Sequence, residues 1–488
     1  MAKSRALVVA LLPLALAACT VGPDYVKPSA PSQAIFAHAA DLDALPPGNP
    51  PVSGVNTVGD EFWRALGDPQ LSALVDTALA SNHDLRIALA HYDRANALLR
   101  DAKFDQFPTI TASANGENGR LSTDQALGAP GDARDAKSYS AGINASWELD
   151  LFGRIRRSVE AGRADVAANA ADLRAAQVAI VGQVATTYVQ LRGLQERLRV
   201  AHDNVDNQRE TLQLVETRLQ AGQGSEFDTS RARAQLETTA SRIPALEAQI
   251  AFAMHRLAVL TGRTPDALIN QLTAQKPLPL LPGKLDPGTP GELLRRRPDV
   301  AAAEARLHGA TAHIGVATAD LFPRFTLSGL LGSQAIDSSA LFRSDSETRL
   351  VALGVDWSFL DIGRVRARIA ASDADAAAAL ASYQQTVLLA LEDTENALVR
   401  YARARSEDEH LERAASESER AAQLARIRFD AGAVDLLDVL DAQRTLLLAQ
   451  EASADSRTRS ITSAVALYEA MAGGWPESLP VRSTVGSR

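Results

Sequence analysis

The chain has 488 residues, a formal net charge of −9 and only 5% aromatic residues. No basic stripe is concentrated anywhere, which excludes nucleic acid as a partner, and abundant alanine suits long, closely packed helices better than a large sandwich core. A single cysteine excludes a disulfide framework and a cysteine-ligated metal site.

That cysteine falls at the end of the first predicted segment. Lys3 and Arg5 form a charged start, Ala6 to Ala15 an apolar run, and Leu16-Ala17-Ala18-Cys19 a small-residue cleavage site. This reads as a lipoprotein signal peptide over 1–18, with a covalent lipid (diacylglyceryl and N-acyl) on Cys19. A plain signal peptide with a chance cysteine is the alternative. Thr20, in place of an aspartate, fits sorting to an outer membrane. Residues 19–59 are rich in Pro, Ala and Gly without a sustained period and predict an extended, solvent-facing leader. Past the signal the sequence offers no apolar run of the ~18 residues that a spanning helix needs, so a membrane-crossing part would have to be built of strands.

From residue 60 the chain is a duplication. "NHDLRIALAHYDRANALLRDAKFDQFPTITAS" from Asn82 returns as "RPDVAAAEARLHGATAHIGVATADLFPRFTLS" from Arg297. "WELDLFGRIRR" at Trp147 returns as "WSFLDIGRVRAR" at Trp357, and "RLQAGQGSEFD" at Arg218 as "RFDAGAVDLLD" at Arg428. Two copies of one large supersecondary unit follow: repeat 1 over 60–270 and repeat 2 over 291–474, joined by a proline-rich linker over 271–290 and followed by a tail over 475–488.

In each repeat a helical pattern runs into Phe-Pro, and a pair of strands follows, predicted at 108–117 and 138–148, then at 323–332 and 348–359. Their alternation is clean: Tyr139, Ala141, Ile143, Ala145 and Trp147 lie on one face, against Ser138, Ser140, Gly142, Asn144 and Ser146. Apolar-out, polar-in alternation is the pattern of membrane-barrel strands, although a soluble half-buried hairpin alternates too. Small uncharged polar faces favour the membrane, as do Trp147 and Trp357 at strand ends, where interfacial aromatics belong.

Two very long helices follow each hairpin, predicted at 153–221 and 225–261, then at 364–431 and 434–472. Val184, Leu191, Leu198, Val205, Leu212 and Leu219 recur in seven-residue steps, the signature of a left-handed coiled coil. A helix of this length spans on the order of 100 Å at 1.5 Å per residue. The helices turn at Gly222-Gln223-Gly224 and at Gly432-Ala433-Val434, where glycine supplies the left-handed cap. Just past the second turn, Leu437, Asp438 and Asp441 are spaced to share one helix face. They admit two readings of equal weight: a constriction, or acids that offset the helix dipole. Asp228 holds the matching place in repeat 1. No nucleotide loop, serine-hydrolase elbow or zinc-protease motif occurs, and the scattered histidines suggest no metal site.

Four strands per chain cannot close a barrel; two chains would give eight with a filled interior, and three would give twelve with an open lumen. A hollow homotrimer is the economical solution, and a tetramer also satisfies closure. The motifs "CTVGPDYVKP", "FWRALGDPQLSALVDTALASNHDL", "SWELDLFGRIRR", "RRRPDVAAAEARL", "FPRFTLSG" and "DVLDAQRTLL" resemble the outer membrane factor family, more narrowly its lipoprotein branch of TolC/OprM-like (NodT-type) efflux channels. The resemblance covers essentially the whole mature chain.

It implies a mainly α fold with membrane β: a trimeric channel-tunnel with a shared 12-stranded β-barrel and a long α-helical barrel in the periplasm. It implies as partners a periplasmic membrane-fusion adaptor, an inner-membrane RND-type pump and outer-membrane lipid, and no enzymatic activity. It makes Leu437, Asp438 and Asp441 the periplasmic gate, with leucine blocking sterically and an aspartate ring selecting cations. It makes Gly222, Gln223, Gly224, Gly432, Ala433 and Val434 the adaptor-docking tips. Phe429 stands where some relatives carry a latch tyrosine. A duct for protein secretion and a lipid-anchored coiled-coil scaffold without a pore are the competing readings.

Overall fold

The computed structural model describes residues 20–29, 35–43, 61–125, 128, 130–281 and 285–472. The signal peptide, Cys19 and the predicted tail at 475–488 lie outside the described residues. In chain order the helices are α1 (Ala39–Asp43), α2 (Phe62–Ala65), α3 (Pro69–Ser81) and α4 (His83–Phe104); strands β1 (Thr109–Arg120) and β2 (Asp135–Leu149) follow. Next come α5 (Arg154–Gln220), α6 (Glu226–Ala240), α7 (Ile243–Leu260), α8 (Ile269–Leu272), α9 (Pro290–Arg296) and α10 (Pro298–Ala319). Strands β3 (Arg324–Ala335) and β4 (Glu347–Asp356) precede α11 (Ile362–Asp430) and α12 (Leu436–Ala470).

The chain divides into two compact units, and each takes segments from both repeats. The first comprises Met1–Pro28, His91–Ala170 and Ala302–Gln385. It holds one antiparallel sheet of four strands in the order β1-β2-β3-β4. The register keeps the two faces distinct across all four strands. Ala112 pairs with Ile143, Ile143 with Leu331 and Leu331 with Arg349, while Trp147 pairs with Leu327 and Leu327 with Leu353. On the other face Ser113 meets Gly142, Gly142 meets Gly332, and Thr111 meets Asn144. Leu330 and Leu350 interrupt the polarity of that second face. β4 stops at Asp356, so Trp357 lies just beyond the strand rather than in it.

The second unit comprises Ser29–Ala90, Ala171–Ala301 and Thr386–Arg488. Its core gathers Trp63 of α2, Leu66 just past it, and Leu71 and Val75 of α3 against Val184, Tyr188 and Leu191 of α5 and Ile461, Val465 and Tyr468 of α12. Phe62 stacks on Tyr468 with ring centroids 4.8 Å apart. Asp68 caps α3, accepting from the Gln70 and Leu71 amides, and also accepts a 2.6 Å hydrogen bond from the Tyr188 hydroxyl. Buried Arg192 donates through its two terminal nitrogens to Gln195, to Gln70 and to the Ala274 carbonyl, while its Nε finds no acceptor among the described residues.

Three expectations are corrected here. The leader is not wholly solvent-facing: α1 forms within it, and Phe36 and Leu42 are buried in the core of the second unit. The return helix of repeat 1 is two helices, interrupted at Ser241–Arg242. Pro244 is the cause, since it lacks an amide proton and its ring collides with the carbonyl four residues earlier. The stretch Glu226–Leu260 also contains a window apolar enough, by composition, to cross a membrane. Leu246, Ile250, Met254 and Leu257 of that stretch are packed into the protein interior.

Candidate functional site

Two regions carry the candidate functional residues, one in each unit. In the first unit the sheet leaves its apolar face uncovered. Ile110, Ile143, Leu331, Val351, Leu353 and Val355 stand between 53% and 82% exposed. A soluble hairpin buries such a face, whereas a barrel strand turns it to lipid. Nothing among the described residues pairs with the outer edges of β1 and β4, which leaves two unsatisfied ladders. The two candidate interfacial tryptophans are held in the same way in both repeats. The indole of Trp147 donates to the Gln106 carbonyl just past α4 at 3.1 Å, and that of Trp357 to the Leu321 carbonyl just past α10 at 3.0 Å.

In the second unit the two helical turns are local copies of each other. Gly222 and Gly432 adopt φ of 71° and 72°, which only glycine enters without strain. The Gln223 amide donates to the Arg218 carbonyl and the Gly222 amide to that of Leu219; Ala433 to Arg428 and Gly432 to Phe429 repeat the pattern. This is the Schellman closure, which satisfies the last carbonyls of α5 and α11. Neither glycine has an atom within 4 Å of where a Cβ would stand, so both tips project freely. Beneath them Val215, Ala232, Phe429, Leu436, Val439 and Leu440 form a small core. The Arg218 guanidinium lies 4.1 Å over the Phe429 ring. Phe429 is thus a buried packing residue.

The geometry separates the four gate candidates. Asp228 and Asp438 occupy the same position in the first turn of α6 and α12, and each carboxylate is engaged by its N-cap residue. The Ser225 hydroxyl donates to Asp228 Oδ2 at 2.6 Å, and the Asp435 amide to Asp438 Oδ2 at 3.3 Å. Asp438 thereby takes up a backbone amide at the start of α12, whereas at α6 the cap is the Ser225 hydroxyl, which accepts from the Asp228 amide. Leu437 and Asp441 are free of that task. Leu437 is 51% exposed, and Asp441 accepts a 2.6 Å hydrogen bond from Arg444 on the exposed side of α12.

Both open onto a cleft of about 400 Å³ between α6 and α12, whose walls also include Arg231, Gln235, Thr238 and Arg444. Arg231 went unread in the sequence, although the signal was present. The repeat offset that puts Gly222 on Gly432 also puts Phe227 on Leu437 and Arg231 on Asp441. Phe227 is exposed like Leu437, with the Arg231 guanidinium 5.4 Å from its ring. Among the described residues no group of three or more His, Cys, Asp or Glu could hold a metal.

A mainly helical chain with one uncovered apolar sheet has the fold seen in the channel-tunnel structures it matches. The sequence profile of the outer membrane efflux protein family matches residues 74–263 and 289–473. Among curated proteins, the chain is 31% identical over 475 residues to the solvent efflux pump outer membrane protein SrpC of Pseudomonas putida, covering 95% of this chain and 97% of that one. It is 32% identical over 478 residues to the outer membrane protein OprJ of Pseudomonas aeruginosa, covering 96% and 95%. Among solved structures, the outer-membrane channel OprN superposes with a TM-score of 0.85 at 41% identity, over 94% of this chain and all of that one. The open state of the Neisseria gonorrhoeae MtrE outer membrane channel gives 0.82 at 27% identity, over 95% of this chain and all of that one. The chain belongs to the outer membrane efflux protein family, a family of transport ducts: it is an outer-membrane efflux channel.

Proposed function

We propose that this chain is the outer-membrane exit duct of a tripartite efflux pump. Three copies close twelve strands into one barrel in the outer membrane, and their long helices form a second barrel in the periplasm. Lipid on Cys19 anchors each copy. The tips at Gly222–Gly224 and Gly432–Val434 meet a periplasmic membrane-fusion adaptor, and an RND-type inner-membrane transporter drives the cargo. The cargo is small organic molecules, in keeping with relatives named for solvent and toluene efflux; a relative named as a probable outer membrane lipoprotein supports the anchor. One observation carries the reading: a sheet whose apolar face is uncovered and whose two edges are unpaired is incomplete in one chain.

Leu437 and Asp441 are the residues left to constrict the duct, because the carboxylates of the other two acids are engaged by their N-cap residues, Ser225 and Asp435. Purified protein in planar bilayers tests this. Wild type is expected to conduct weakly, and Leu437→Ala and Asp441→Asn to raise basal conductance several-fold. Equal currents in all three would remove these residues from the gate. A monomeric mass in detergent, without conductance, would remove the channel assembly itself.

A further inference from the structure

The leader enters the fold immediately after Cys19, and the first unit holds a site built to receive it. Thr20 lies on Gly153, between β2 and α5. Gly153 has φ of 85°, and a Cβ there would stand 2.5 Å from Thr20 Cγ2. The Val21 amide donates to the Phe152 carbonyl at 3.2 Å. One residue on, two backbones touch: a Cβ on Gly22, at φ of 89°, would stand 2.5 Å from the Cα of Gly315 in α10. Gly22 thus has no room for a side chain, and Gly315 is held to glycine by Arg157, whose Cγ would stand 2.8 Å from a Cβ there.

Charge and aromatic contacts then fasten the strand. Arg157 of α5 has a side chain only 5% exposed; it donates to Asp24 at 2.6 Å and reaches the Val21 and Gly22 carbonyls at 3.4 and 3.5 Å. Tyr25 stacks on His308 with centroids 4.4 Å apart, and Lys27 pairs with Glu304 at 2.7 Å. Glu160 completes the base of the site, accepting from Arg157 at 2.8 Å and contacting His308 at 2.9 Å. The guanidinium is nearly buried, and three of its four partners, Asp24 and the Val21 and Gly22 carbonyls, belong to the leader; without the leader it would keep Glu160 alone.

We infer that residues 20–27 are a docking strap, held in a groove between α5 of repeat 1 and α10 of repeat 2, which fixes the anchored end of each chain at the β2–α5 junction. The strap is thus a positioning device for the lipid proposed on Cys19, and rests on that reading for its purpose but not for its geometry. It also staples the two repeats where the sheet meets the helices.

Full-length protein purified from outer membranes tests it, using chymotrypsin at Tyr25 and the intact mass of the N-terminal peptide. Wild type should resist cleavage at Tyr25. Gly22→Val and Asp24→Ala, both substitutions in the strap that leave the helices intact, should be cut on the order of tenfold faster with unchanged circular dichroism. Arg157→Ala should behave alike, with Arg157→Lys recovering part of the protection. Cys19→Ala, which cannot carry the lipid, should stay protected. Strap variants as resistant as wild type would overturn the inference, as would a Cys19→Ala chain cut as fast as Gly22→Val, since the lipid and not the groove would then hold the segment. A wild-type mass without acyl chains, with Tyr25 still protected, would instead sink the anchor and leave the strap standing.

Discussion

Asp438 and Asp441 stand three residues apart on one helix and do different work. Asp438 receives the Asp435 amide, whereas Asp441 faces a cleft and Arg444. Asp438→Ala removes the third-position acceptor for that amide and should therefore lower stability by about 0.3–1.5 kcal/mol, the usual worth of one helix-capping device, with little change in conductance; thermal denaturation beside bilayer recordings checks both halves. Glu469 offers a pH test in the second unit. Burial pushes its carboxyl up, with nearby Arg297 opposing and Asp393 adding to the shift. A carboxyl raised on folding binds a proton more tightly in the native state. Stability therefore falls as pH climbs from the ordinary carboxylate range through the raised native value. Glu469→Gln is expected to melt no lower than wild type at neutral pH, with any advantage vanishing in acid, below both values. A variant that melts lower at neutral pH would show that the charge is stabilising.

At the scale of elements, α5 and α12 meet along a line that the heptad did not disclose. Leu198, Leu212 and Leu219 of the seven-residue stripe are only half-buried. The close contacts with α12 instead fall at Gly182, Gly193 and Asn204, each eleven residues on. A Cβ at Gly182 would stand 2.6 Å from Glu469, one at Gly193 would stand 2.1 Å from Thr458, and Asn204 donates to Gln450 at 2.9 Å. Eleven-residue steps stay closer to a straight 3.6-residue helix than sevens do. Gly193→Val should force these helices apart and cost roughly 1–3 kcal/mol, as overpacking does; Gly193→Val with Thr458→Ala should recover part of it in a denaturation series. In the sheet, Val355→Arg puts a charge on the uncovered face. If that face meets lipid, the cost is about 2–4 kcal/mol near the bilayer centre and less toward its rim, measurable by folding into vesicles.

For the whole molecule, the open sheet is the feature that demands other copies. A cysteine pair across the unpaired edges of β1 and β4 tests the proposed closure. With Cys19 as the chain's only native thiol, oxidation should yield a covalent species of three chains and none larger. A ladder that stops at two or at four would replace the trimer by another ring.

Much of the architecture was legible because it is periodic or repeated. The duplication, the period-two hairpins and the glycine turns each write a local rule into the order of residues, and the family membership, the mainly helical fold and the outer-membrane location that they pointed to all hold. Position along the chain could also show that Leu437, Asp438 and Asp441 share a face. It could not show that Asp438 is spent on a cap, that Arg231 lines the cleft beside Asp441, or that α5 rests on glycines outside its leucine stripe. Nor could it distinguish a free leader from one laid over Gly153 and Gly315, whose partners in the fold lie more than a hundred residues away in sequence. Periodicity reports which side of an element is apolar; only the tertiary structure decides what meets that side, because a contact depends on the distance between atoms and not on their order in the chain.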